Sequence, residues 1–339
     1  MIVRAAAPMR VSFAGGSTDV PEYFNERGGA VINTTIDVFA YATVVERDDD
    51  VIRLIMEDVG YQEEARLGQL RAEGPARLLK GVLMQYDLRS GLEVRTLSQA
   101  PPGSGLGGSS ALAVALIGAV SSLLGLDVDP ERVARTAVYV ERHFLGDPGG
   151  YQDQYAAAYG GLNFMEFTRD GVKVTPIRPP EWVLEELQYR LLMFFTGSTH
   201  DSGAIHRDLK DRMKSREEVL QALDNIKRAA YGIRDALMKG DLEAFGELLH
   251  EEWVNKRATS PSVSTPFIDS AYERARRAGA LGGKLLGAGG GGFLLLFVRP
   301  ERRVDVVKEM ASLGLQEYRF RFEPKGLRTW RVGARGEGK

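Results

Sequence analysis

The sequence predicts an α+β protein of two domains with layered sheets. Three observations carry that expectation. The first 45 residues alternate strand-like runs around a glycine-rich turn. Residues 92–124 run strand, glycine loop, helix, and beyond residue 216 helices and strands are interleaved. At 339 residues and 44% hydrophobic content, the chain can bury more than one core.

Met9 to Phe13 and Tyr41 to Glu46 read as strands, with AGGSTD at Ala14 to Asp19 as the turn. Arg47 to Asp50 reads as a solvated hairpin tip leading into the apolar run Val51 to Met56. Leu92 to Leu97 is a strand pattern that leads through Pro101-Pro102 into GSGLGGSS, and Ala111 to Leu124 has the composition of a buried helix. Asp129-Pro130 is an N-cap and first-turn pair opening a helix that ends near Gly146.

The pattern breaks at Arg178 to Glu181 (RPPE), before a strand at Leu191 to Phe195, so the chain is divided into domains 1–185 and 186–339. Arg216 to Met238 and Leu242 to Asn255 read as helices joined at Gly240, with Asp241 as N-cap, and are expected to pack antiparallel. Thr265-Pro266 opens a helix that stops at Gly279. Then come the glycine run ending at Gly292, a strand at Phe293 to Val298, a helix at Glu301 to Ser312, and the alternating Tyr318, Phe320 and Phe322.

Lys and Arg number 44 against 46 Asp and Glu, for a net charge of -2, so nothing electrostatic calls for nucleic acid or anionic lipid. The absence of cysteine excludes disulfides and thiolate metal sites, and the four histidines are too scattered for zinc, leaving an oxygen-bound ion such as Mg²⁺. No signal-peptide stretch opens the chain, and no segment has the roughly 18 apolar residues of a membrane span. A cytoplasmic location is expected, with a homodimer on general frequency alone.

Gly103, Gly105 and Gly108 fit G-x-G-x-x-G, a pattern that by itself says only that backbone approaches a phosphate. A helix starting at Ser109 adds its positive end to the same anion site. A dinucleotide-binding oxidoreductase is one reading, with Asp127 or Asp129 on the ribose; a plain tight turn is another. His206-Arg207-Asp208-Leu209-Lys210 imitates a protein-kinase catalytic loop, but Met213 stands where its asparagine belongs and no Asp-Phe-Gly follows. No lysine follows the glycines as a Walker A loop requires.

Pro101-Pro102-Gly103-Ser104-Gly105-Leu106-Gly107-Gly108-Ser109-Ser110-Ala111 resembles the central phosphate-binding motif of the GHMP kinases. The Ala7-Pro8-Met9-Arg10-Val11 strand and the Lys284 to Phe293 glycine motif stand in that family's order. Within the family the likeness is nearest to the D-glycero-D-manno-heptose 7-phosphate kinases, through Ala14 to Asp19 and Gly149 to Ala157. The resemblance implies an N-terminal domain like the second domain of ribosomal protein S5, a ferredoxin-like C-terminal domain, and ATP- and Mg²⁺-dependent phosphorylation of a sugar or sugar phosphate. The implied acceptor is the anomeric hydroxyl of the heptose; another sugar is the alternative.

Residue by residue, the resemblance puts Pro102, Gly103, Ser104, Gly105, Leu106, Gly107, Gly108, Ser109 and Ser110 on the nucleotide. Asp153 orients or deprotonates the sugar hydroxyl, and Arg10 polarises it. Ser110 and Glu141 hold Mg²⁺, although the extra glycine at 107–108 leaves open whether Ser109 or Ser110 faces the metal. Gly16, Thr18, Asp19, Gly150, Gly289 and Gly290 meet the substrate. Each residue type also has a plainer use: Asp153 as a helix N-cap, Glu141 paired with Arg142 or Arg135 on a solvated face, Asp19 in an Asx-turn, Arg10 as a surface cation, Gly289 to Gly292 as tight packing. His200 and His206 are candidates for a sugar phosphate, as are Arg207, Lys210 and Arg212, while His143 and His250 read as helix-surface residues.

Overall fold

The structure is a computed structural model that describes residues 1–197 and 202–333; His200 lies outside the described residues. Its larger sheet is built on two long strands, β1 (Ile2–Ala14) and β2 (Gly29–Glu46), paired antiparallel with register shifts at Pro8/Met9 and Ser12/Ala14. A short helix α1 (Pro21–Arg27) fills the loop between them. β2 changes neighbour along its length. Ala40 to Glu46 pair with β5 (Leu92–Ser98), and Gly29 to Thr34 pair with β6 (Leu162–Thr168).

β3 (Val51–Met56) runs parallel to β5 and antiparallel to β4 (Tyr61–Arg66). The expected hairpin at Arg47 to Asp50 is therefore wrong. β5 is inserted between β2 and β3, so these residues cross a strand instead of turning back beside one. β7 (Gly171–Pro176) extends the β6 edge, and β11 (Arg328–Arg331) brings the chain back to pair with β1, making eight strands. The predominantly antiparallel order also removes the dinucleotide-binding reading, which needs an open parallel sheet.

α2 (Arg77–Leu83), α3 (Gly108–Leu123), α4 (Pro130–Val138) and α5 (Gln152–Tyr159) follow in turn. α3 is apolar on nearly every face, and all its residues from Ser110 to Ser121 are buried, as a helix enclosed on all sides requires. Asp129 caps α4 by accepting from the Arg132 amide, which leaves no role for it on a ribose.

After α6 (Glu181–Arg190), the second sheet has the order β8 (Leu191–Phe195), β10 (Phe293–Val298), β9 (Ala280–Leu285), all antiparallel. The bridge between Phe194 and Glu317 continues it on the β8 side, giving the order of a ferredoxin-like sheet. The expected strand at Tyr318 to Phe322 is reduced to two bridges, at Glu317 and Phe322, because those residues span between the two sheets.

α7 (Ser202–Ser215) is a regular helix, so His206 to Lys210 do not form a kinase catalytic loop. α8 (Glu217–Lys239) and α9 (Leu242–Thr259) pack as the expected pair, with Gly240 in the left-handed conformation and Asp241 capping Ala244. α10 (Pro266–Ala278) and α11 (Arg303–Ser312) close the second sheet's outer face. The largest core joins β1, β2, α3 and α5 to Ala230 of α8, Phe245 of α9, and Phe293 and Phe297 of β10. That continuous packing fixes the cleft between the two sheets' loops.

Candidate active site

A cleft of about 630 Å³ lies where the loop before α3 meets β1, the start of α5, and the glycine run after β9. Gly103, Gly105 and Gly107 all have positive φ, so the loop can turn its amides without a Cβ penalty. α3 begins at Gly108 with Gly107 at its N-cap and no side chain capping it, which leaves amides free at the helix's positive end.

The loop is held from both sides by backbone. Arg10 donates its amide to the Leu106 carbonyl at 3.0 Å, and Phe293 donates to the Ser104 carbonyl at 3.2 Å. A Cβ on Gly287 would fall 2.5 Å from the Gly105 Cα, and one on Gly292 would fall 2.4 Å from the Ser104 carbonyl. The second glycine motif is thus a backbone-to-backbone seat for the first. Gly289 lines the cleft, whereas the Gly290 amide is taken by the Val263 carbonyl at 2.8 Å.

Arg10 is 4% exposed and ties the centre of the site together. Its Nε donates to Asp153 Oδ1 at 2.8 Å, its Nη2 lies 2.6 Å from the same oxygen, and its Nη1 donates to the Gly105 carbonyl at 2.5 Å. Asp153 makes no cap for α5; its other oxygen lies against Gly107, where a Cβ would sit 3.1 Å away. Glycine at 107 thus leaves the carboxylate room to lie against the loop, where a Cβ would press on it.

Glu141 is 2% exposed, which excludes a solvated pairing with Arg142 or Arg135. It accepts from Ser109 Oγ at 3.0 Å, Ser110 Oγ at 2.8 Å and Gln154 Nε2 at 2.6 Å. Both hydroxyls reach it, one on each oxygen. The wide turn that delivers it is a π-helix, Tyr139–Phe144, continuing α4 without a break. Among the described residues no cation pairs with Glu141, and no cluster of three His, Asp or Glu side chains could hold a metal. A lone carboxylate with hydroxyls suits Mg²⁺, which takes one or two carboxylates and fills its sphere with substrate phosphate and water.

Asp19, 2% exposed, is not in an Asx-turn. Its two oxygens accept from the Ser17 and Gln152 amides, each at 3.0 Å. Burial pushes its carboxyl above the usual range, against the pull of the Gln152 amide. Gly150 must be glycine here because a Cβ would lie 1.9 Å from Asp19 Oδ2. Ser17 holds a positive φ without being glycine, a local strain beside the cleft-lining residues Gly16 and Asp19. Thr18 is fully buried, its hydroxyl spent on the Gly15 and Ala30 backbone, and Leu106 is likewise core rather than cleft.

Sequence reasoning missed a basic layer on the α9 and β9 side. Lys284 and Glu252 form a fully buried pair at 2.5 Å, and Lys256 donates to the Leu285 and Gly287 carbonyls at 3.2 and 2.5 Å. Burial pushes Lys256 down to about 7, and the charge of Lys284 adds to the fall. Glu252 and Lys256 stand four apart on a helix, the spacing of a solvated pair; only their stripe with Leu249 and Trp253 hinted at burial. Of the histidines, His206 lines the cleft, His143 is on the surface, and His250 is half-buried with Nδ1 2.7 Å from the Tyr272 hydroxyl. Lys210 and Arg212 are spent on Glu22 and Asp208, away from the cleft.

Comparison with known proteins fits this geometry. Residues 75–161 match the GHMP kinases N terminal domain and residues 233–314 the GHMP kinases C terminal. The chain is 33% identical to a D-glycero-alpha-D-manno-heptose 7-phosphate kinase of Campylobacter jejuni subsp. jejuni serotype O:2, over 97% of this chain and 99% of that one. A mevalonate kinase of Pyrococcus horikoshii is 32% identical over 74% of this chain and 72% of its own. The solved structure of a D-glycero-D-manno-heptose 1-phosphate kinase from Bacteriodes thetaiotaomicron superposes with a TM-score of 0.81 at 33% identity, covering 97% of this chain and 99% of that one. The loop before α3, its glycine seat and the two heptose-kinase likenesses over nearly the full length agree, and the chain belongs to the GHMP kinases, as a sugar kinase.

Proposed function

We propose that the protein transfers the terminal phosphoryl group of ATP to the anomeric C1 hydroxyl of D-glycero-D-manno-heptose 7-phosphate, with Mg²⁺. The observation that carries this reading is Arg10, which binds Asp153 and the Gly105 carbonyl at once and so holds the candidate base against the phosphate loop. The amides of Gly108 to Ser110 and the positive end of α3 receive the polyphosphate. Ser109, Ser110 and Glu141 hold Mg²⁺, with Gln154 fixing the carboxylate from behind. Bound there, Mg²⁺ supplies charge neutralisation to the phosphate oxygens.

Asp19, Gly16 and Gly150 receive sugar hydroxyls, and the buried, unpartnered Gln152 Oε1 is a further acceptor for one. Asp153 takes the hydroxyl proton on Oδ2, since Oδ1 is occupied by Arg10; the guanidinium offsets the charge that builds up on the acceptor oxygen. The same reading includes a cytoplasmic enzyme, a small sugar phosphate as its partner, a homodimer, and a domain division at 185/186. No helix among the described residues is long and apolar enough to cross a membrane.

The test is incubation with ATP, Mg²⁺ and a panel of sugars and sugar phosphates, with ³¹P spectroscopy of the product. Phosphorylation of heptose 7-phosphate at C1 is expected. A second reading, from the name of the Bacteriodes relative, makes a heptose 1-phosphate the acceptor, and that compound belongs in the panel. A panel with no phosphorylated member refutes the kinase assignment for this chain.

A further inference from the structure

Beyond the atoms of phosphoryl transfer, the cleft carries cationic and hydrogen-bonding groups that the mechanism above does not use. His206, on α7, lines the cleft, and among the described residues neither of its ring nitrogens has a hydrogen-bond partner. Lys256, on α9, also lines the cleft, is 3% exposed, and among the described residues is held by two neutral carbonyls with no carboxylate in ion-pair range. Arg142 lines it too, its Nε spent on the Gly150 carbonyl at 3.0 Å. Burial without an anion alongside disfavours the charged form of Lys256, and its retention beside an imidazole that has no partner among the described residues needs a ligand to explain it.

We propose that His206 and Lys256, flanked by Arg142, are the subsite that binds the phosphate already present on the sugar substrate and so select sugar phosphates over free sugars. This rests on the sugar-phosphate reading above. The electrostatics agree with the geometry. Burial first, then the charges of Arg142 and Lys256, push His206 down to about 4, Asp153 and Glu22 pulling the other way. The imidazole is thus a neutral N–H donor at physiological pH, suited to a phosphate oxygen. Arg10 and Lys284 do not serve, because each is committed to its own carboxylate.

The experiment compares heptose 7-phosphate, heptose 1-phosphate and unphosphorylated heptose, by kinetics and by calorimetric binding, in the wild type, Lys256→Met and His206→Leu. Lys256→Met also removes two backbone contacts, so His206→Leu, which removes none, is the decisive variant. A hydrogen bond to a charged group sets the expected effect: in each variant the preference for the phosphorylated over the free sugar falls by about 10–100-fold. Equal losses on both sugars, or a wild type without preference, overturn the subsite and leave the kinase reading standing. A wild type that binds the sugar phosphate but never phosphorylates it refutes the kinase reading alone, and loss of that binding in His206→Leu still supports the subsite. A preference for heptose 1-phosphate that both variants abolish also supports it, and relocates the reacting hydroxyl.

Discussion

Glu141→Gln separates function from stability at one atom pair. Among the described residues Glu141 is a buried carboxylate held by three neutral donors and no cation. Hydrogen bonds to a charged acceptor are worth about 1.5–3 kcal/mol against about 1 kcal/mol for neutral ones, so the isosteric amide forfeits a few kcal/mol over three bonds. Against this, burying a lone ion costs several kcal/mol, and the amide avoids that cost. Gln154 can also adapt, because its Oε1 is buried and unpartnered and a flip presents it to the new amide N–H₂. The two effects nearly cancel, so the midpoint of thermal unfolding without metal is expected within a few degrees of wild type. Mg²⁺ affinity is expected to behave differently, since the substitution removes the carboxylate proposed to hold the metal. Changing a residue that merely orients a metal ligand already costs about 10–100-fold, so a loss of at least about 100-fold in kcat/KM at limiting Mg²⁺ is expected, with the Mg-ATP thermal shift reduced. Mg²⁺-dependent turnover within threefold of wild type refutes the metal role; collapse of the apo fold refutes the balance of terms.

Asp153→Asn is expected to keep ATP affinity within about threefold while lowering kcat by about 10²–10⁴, checked by nucleotide titration and initial rates; unchanged turnover removes Asp153 from the chemistry. Gly150→Ala drives a Cβ into Asp19 and must break its two amide bonds, so the KM for the sugar should rise about tenfold or more with the KM for ATP nearly constant. Lys256 predicts a pH dependence of stability. Its folded pKa, about 7, lies below the unfolded 10.5, so the unfolded chain binds the extra proton across that window and stability rises as pH climbs through it. Urea midpoints across the window should show this rise in the wild type and a flatter line in Lys256→Met, a contrast that parallel lines would disprove; Lys284, Glu252, Arg10 and Asp19 are the other charges acting on Lys256.

What the sequence made legible was local chemistry carried by residues adjacent in the chain. Glycines 103 to 108 before an apolar helix specify an anion loop because conformation and dipole both follow from neighbours. The caps at Asp129, Asp241 and Thr265 are three-residue events. What escaped was fixed by tertiary choice. The crossing at Arg47 to Asp50 depends on β5, forty residues later, entering between β2 and β3. Thr18, Leu106 and Gly290 belong to the right motifs but turn inward, because backbone groups of Gly15, Arg10 and Val263 occupy them. Lys256 and Lys284 were invisible as site residues because a buried lysine has the letter of an exposed one.

The arrangement also explains why two glycine-rich segments nearly two hundred residues apart are both needed. An anion loop made of positive-φ glycines is soft by itself, since each residue can leave its conformation at little cost. Here Arg10 and Phe293 take its carbonyls from opposite sides, and Gly287 and Gly292 let β9 and β10 approach to backbone contact. The amides at the start of α3 are thereby aimed before any nucleotide arrives, which is the preorganisation that electrostatic stabilisation of a transferring phosphoryl group demands. The cost is a seat whose backbone leaves no room for a Cβ at 105, 287 or 292. Rigidity at the phosphate end leaves adaptation to the proposed sugar end, where His206 on α7 and Asp19 in the turn after β1 make no contact with the loop's backbone seat, whereas Lys256 holds the Gly287 carbonyl and is tied to it.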